Sequence, residues 1–72
     1  MTPDTLRQIG EALYGTHWQT PLSEFLGVCP RTVRRWNAGT HRIPNLKIEL
    51  SDLCFIRRDA LNDIIERMEE EQ

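Results

Sequence analysis

Gln19-Thr-Pro-Leu-Ser-Glu-Phe-Leu-Gly-Val-Cys-Pro-Arg-Thr-Val-Arg-Arg-Trp36 is the stretch on which the reading of this chain turns. It contains two start signals and one stop. Thr20-Pro21 and Cys29-Pro30 each place a proline where a helix can begin, since its fixed φ suits the first turn and its missing N–H would be unpaired there anyway. Gly27 ends the first segment, because glycine adopts the positive φ that closes a helix. Leu22, Phe25 and Leu26 form the inward stripe of the first helix. Two short helices joined only by Gly27 to Cys29 make an angular pair.

Upstream, Thr2-Pro3-Asp4 supplies a cap residue, a first-turn proline and an acid at the positive helix end. Leu6, Ile9 and Leu13 share one face, and Gly15 is the stop. Downstream, the second helix of the pair ends at Gly39, Thr40 to Pro44 is a polar loop, and Pro44 opens a further helix. From there Leu46, Leu50, Leu53, Ala60 or Leu61, Ile64 and Met68 recur at spacings of three and four, with no glycine or proline after Asn45. Spacing leaves open whether residues 44–70 are one helix or two with a break at Arg57-Arg58-Asp59, where charge interrupts the seam. The closing Glu69-Glu70-Glu71 is unfavourable at the negative helix end and should fray. No segment alternates with the period of a strand. The expected fold is all-α, a compact four- to five-helix bundle with a long C-terminal helix. Residues 1–56 form the main domain and 57–72 a helical extension.

With 72 residues, 39% of them hydrophobic, the chain has room for one small domain and a thin core. No apolar run approaches a membrane span and the start lacks the pattern of a signal peptide, so a cytoplasmic location without membrane contact is the default. Cys29 and Cys54 lack metal-ligand companions, and His17 and His41 lie far apart; no metal and no cofactor are expected, and the thiols read as reduced. No serine, cysteine or histidine stands at a spacing that pairs a nucleophile with a base, and no glycine loop would cradle a phosphate, so an enzyme is not expected.

The net charge of −2 conceals a strong polarity. Residues 1–24 set Arg7 against Asp4, Glu11 and Glu24, for −2; residues 25–48 hold Arg31, Arg34, Arg35, Arg42 and Lys47 with no acid, for +5; residues 49–72 set three bases against eight acids, for −5. A positive middle third suggests a face for an anionic partner, with the acidic tail projecting elsewhere. On a helical wheel Val33 and Trp36 fall on one side of the segment 30–38, and Arg31, Arg34, Arg35 and Ala38 on the other. Guanidinium groups so arrayed can bond guanine O6 and N7 in pairs or clamp phosphates. Trp36 and Trp18 read as core.

In residue types and spacing, 19–36 resembles the helix-turn-helix of the phage-repressor-like (Cro/repressor, Xre-type) transcriptional regulators. The resemblance spans about residues 5–48. It implies that Leu22 and Leu26 point inward, that Ser23 lies where the two helices cross, and that Val28, Val33 and Trp36 anchor the second helix. The pattern often has Ser or Thr where this chain has Cys29, a weaker cap acceptor. What the resemblance implies for function is a sequence-specific binder of double-stranded DNA, a small (auto)repressor of a phage, prophage or plasmid operon. Arg31, Arg34 and Arg35 would face the major groove. Gln19, Thr20, Thr32, Thr40, His41, Arg42 and Lys47 would contact the backbone. The alternative is a protein-interaction module that keeps the frame without specific DNA binding, as in an antitoxin-like or adaptor subunit. Leu61, Ile64, Ile65 and Met68 are the expected interface of a homodimer on an inverted-repeat operator.

Overall fold

Local start and stop chemistry sets the helices of the computed structural model, which describes residues 1–71. Helix α1 is Pro3–Tyr14; Thr2, in extended conformation, caps it by accepting the Thr5 N–H on its hydroxyl at 3.2 Å. Asp4, in the first turn, pairs with Arg7 and accepts from Gln8. Helix α2 is Gln19–Leu26, α3 is Pro30–Ala38 and α4 is Lys47–Glu70. Gly27 and Gly39 close α2 and α3 in the same way, at φ 72° and 78°. In each, the glycine N–H and the one after it reach back to the last turn: Gly27 to Glu24 and Val28 to Ser23, Gly39 to Trp36 and Thr40 to Arg35. These are paired Schellman bonds, which satisfy carbonyls that the helix end would otherwise leave unpaired.

The structure departs from the expected reading in three places. Helix α2 starts at Gln19, not at Thr20-Pro21: buried Trp18 is its cap residue, and its carbonyl receives the Leu22 N–H at 3.1 Å. Pro21 is still within the first turn, where its missing N–H costs nothing. Helix α4 opens at Lys47 and not at Pro44. Ile43 and Leu46 are both drawn into the core from a non-helical segment, and the Asn45 side chain turns the chain by accepting the Lys47 N–H at 3.2 Å. Phe25, expected inward, is 43% exposed. The buried side of α2 is centred between Leu22 and Ser23, which turns Phe25 outward and leaves Leu26 half-buried.

Of the two alternatives that spacing leaves open, the structure has the first: 47–70 is one unbroken helix, so the described chain has four helices and no break near 57–59. The charged triplet is exposed to solvent, so it carries no desolvation cost within the helix, and each member makes a contact. Arg57 donates to the Leu13 carbonyl at 2.9 Å and lies over the Tyr14 ring at 5.2 Å, while Arg58 pairs with Asp59 at 3.3 Å and lies over Phe55 at 5.0 Å. Glu69 and Glu70 remain helical.

All four helices and the 40–46 connection feed one core of Leu6, Trp18, Leu22, Val33, Trp36, Ile43, Leu46, Leu50 and Leu53, with Ile9, Leu13, Tyr14, Leu26 and Val28 packed around it. Shared depressions bring Thr5 to Lys47, Ile9 to Leu50 and Cys54, and Leu13 to Arg57. The opening turns of α4 therefore run alongside α1 in the same direction. Beyond Tyr14 α4 continues alone. Every described residue from Cys54 onward is exposed, and the molecule measures 50 × 22 × 21 Å. The expected division at 56/57 falls inside α4, three residues past the last buried side chain, Leu53.

Candidate nucleic-acid interface

Helix α3 is the centre of the site because its two sides differ completely. Val33 and Trp36 hold it down, at 0% and 6% exposure. Arg31, Arg34, Arg35 and Ala38 lie exposed on the side away from them, and Thr32 and Asn37 are half-buried at the edges. On α2, Ser23 is fully buried and its hydroxyl donates to the Thr20 carbonyl at 2.6 Å, so no polar atom is stranded there. Cys29 occupies the cap position of α3 in the extended conformation a cap needs, with no side-chain hydrogen bond.

Among the described residues, ion pairs join Arg7 to Asp4 and Glu11, and Arg58 to Asp59. None involves Arg31, Arg34, Arg35, Arg42 or Lys47, all of them exposed. Their charge is available to an external anion.

Residues expected along a nucleic-acid backbone fall into separate groups. Gln19, half-buried, and Thr20, exposed, begin α2 and line a shallow polar depression of about 200 Å³. Thr16 and His17 line it too. Spacing does not single them out in this role, because loop residues carry no periodic signal. Arg42 and Lys47 come together on a larger depression of about 490 Å³, beside Met1 and Thr5 of the α1 start. That neighbourhood is tertiary, and Pro3 lies close to Gly39 at the end of α3 as well. Thr40 is not free: its hydroxyl donates to the Arg35 carbonyl at 3.2 Å and stands 3.1 Å from His41 Nδ1. It finishes α3 as much as it faces solvent. Thr32, one turn into α3, donates its N–H to the Cys29 carbonyl at 2.9 Å.

On α4, Leu61, Ile64, Ile65 and Met68 are 48% to 60% exposed. No described helix is long and apolar enough to cross a membrane. Comparison with models of protein families, with curated proteins and with solved structures found no match.

Proposed function

We propose that this chain is a sequence-specific double-stranded DNA-binding regulator, a small (auto)repressor of a phage, prophage or plasmid operon, that inserts α3 into the major groove as the second helix of a helix-turn-helix. One observation carries the reading: a nine-residue helix, following a three-residue turn, has its back buried through Val33 and Trp36 and offers Arg31, Arg34 and Arg35 unpaired to solvent. The size is right. An α-helix with its side chains is ~10–12 Å across, and the major groove, ~12 Å wide, admits it. Arg34 and Arg35 lie where base edges would be read, with Arg31 at the outer base pairs or phosphates. Gln19, Thr20, Thr32, Thr40, His41, Arg42 and Lys47 supply backbone contacts that set the register.

A net-acidic chain suits this role because of where its acids lie. Glu69 to Glu71 stand ~33 Å along α4 from Lys47, at 1.5 Å per residue, whereas charge is screened over ~8 Å at physiological salt. The attraction of the basic middle third persists at short range. The exposed apolar residues of α4 fit a homodimer, which would match an inverted-repeat operator.

The test is selection from a random duplex pool followed by salt titration of the winner against a scrambled duplex. A dimer that sets three cations per protomer on phosphates gives a log–log slope of about −5, with clear preference for the selected sequence. Feeble binding without sequence preference would instead indicate the protein-interaction module.

A further inference from the structure

The outer part of α4 lacks what normally stabilises a helix. Helices draw most of their stability from packing an apolar face, and isolated ones of this length are marginal in water. From Cys54 onward no described residue is buried, yet the face is there. Cys54, Arg57, Leu61, Ile64 and Met68 alternate at spacings of three and four, the seam of a heptad pattern, with Ile65 beside it. On the wheel this seam continues the side on which Leu50 is buried at 3% exposure. Asp59, Asp63, Glu66 and Glu70 lie on the opposite side. At its base the seam meets the end of α1 in a groove of about 840 Å³, lined by Leu13, Cys54, Arg57, Leu61, Ile64 and Ile65.

Charge along the arm dictates which way a partner helix must run. Residues 54–61 carry Arg57 and Arg58 against Asp59, for +1; residues 62–71 carry Asp63, Glu66, Glu69, Glu70 and Glu71 against Arg67, for −4. Asp59, Asp63, Glu66 and Glu70 face away from a partner in either orientation, but Arg57 and Glu71 continue the seam. Parallel arms would set Arg57 against Arg57 and Glu71 against Glu71, whereas antiparallel arms bring each Glu71 to the base of the other arm, one turn from its Arg57.

We propose that α4 pairs with α4 of a second copy in antiparallel orientation. Leu61 faces Ile64 of the second copy, and Met68 of each copy seats in the groove beside Arg57 of the other. This deepens the dimer part of the function proposed above. The two-fold axis passes midway between Leu61 and Ile64, which sets the two Leu50 residues ~37 Å apart along the helices at 1.5 Å per residue. A parallel pair would bring the two basic heads side by side.

Disulfide trapping in the full chain distinguishes the arrangements. In a Cys29→Ser, Cys54→Ser background, Arg57→Cys and Met68→Cys are made separately, with circular dichroism and tryptophan fluorescence confirming the fold. Sedimentation of the wild-type chain at micromolar concentration is expected to show a dimer. Oxidation is expected to link Arg57→Cys to Met68→Cys in a mixture while neither links to itself. Native Cys54 in a Cys29→Ser chain should not self-link, because antiparallel copies hold it ~25 Å from its mate, against the ~7 Å limit between Cα atoms of a disulfide. Replacing Glu69 and Glu71 by lysine should weaken the dimer about tenfold at low salt. Self-linking of Cys54 or of Met68→Cys, or a dimer strengthened by the lysines, overturns the antiparallel pairing and leaves the dimer itself standing. A folded monomer overturns both. Neither result bears on whether α3 binds DNA, which the salt titration reads separately.

Discussion

The Trp18 indole lies directly on the backbone of Gly10. A Cβ added at Gly10 would overlap Cε3 and Cδ2 of the ring and stand 2.9 Å from its Cγ. Gly10 is in the middle of α1, where glycine ordinarily weakens a helix by up to ~1 kcal/mol relative to alanine. Here the missing side chain is what lets α1 approach the start of α2. Trp18 is 3% exposed and cannot swing aside without opening the core. Gly10→Ala should therefore destabilise the fold by ~1–3 kcal/mol despite its better helix propensity. A thermal melt checks the sign: the midpoint should fall by roughly 4–8 °C per kcal/mol for a domain of this size. A rise would mean that the ring tolerates the methyl group.

Arg34→Ala and Arg35→Ala should separate binding from folding. Both side chains are exposed and unpaired, so stability should change by less than ~0.5 kcal/mol. If either reads a base in two-bond fashion, discrimination between selected and scrambled duplexes should drop by ~1–3 kcal/mol. Fluorescence anisotropy on both duplexes measures the difference. Unchanged affinity and preference in both variants would remove α3 from the groove.

Arg42→Ala is expected to act differently, because Arg42 lies with Lys47 on the edge formed by the 40–46 connection and the start of α1. A cation on a phosphate carries no sequence information. All duplexes should weaken alike, and the magnitude of the salt slope should fall by ~1 for each phosphate no longer neutralised. Weakening confined to one sequence would assign Arg42 to base reading.

Cys29→Ser should stabilise the protein. The cap residue of α3 already has φ −71° and ψ 142° but makes no side-chain hydrogen bond, so a hydroxyl there needs no backbone adjustment to accept an N–H of the first turn. The expected gain is ~0.5–1 kcal/mol in chemical denaturation, while Cys29→Ala should be close to neutral. Equal stability of the two variants would show that the hydroxyl finds no donor.

Local chemistry made much of the architecture legible in advance. Gly15, Gly27 and Gly39 end helices because positive φ is cheap only for glycine, and Thr2 and Pro3 begin one because a hydroxyl acceptor and a fixed φ suit its first turn. The opposition of Val33 and Trp36 to Arg31, Arg34 and Arg35 was equally visible, since residues on one short helix keep a fixed angular relation whatever surrounds them. Tertiary packing decided the rest. Phe25 turned outward because packing buries the Leu22–Ser23 side of α2. Helix α4 began at Lys47 because Ile43 and Leu46 are held in the core from a non-helical segment. Arg57 ties α4 to the end of α1 by reaching the Leu13 carbonyl, a hydrogen bond across 44 positions that no periodicity encodes. Gly10, with no turn beside it, had no local meaning until Trp18 was placed upon it. In each case the deciding atom lies on another element, and its position follows from the packing of the whole core.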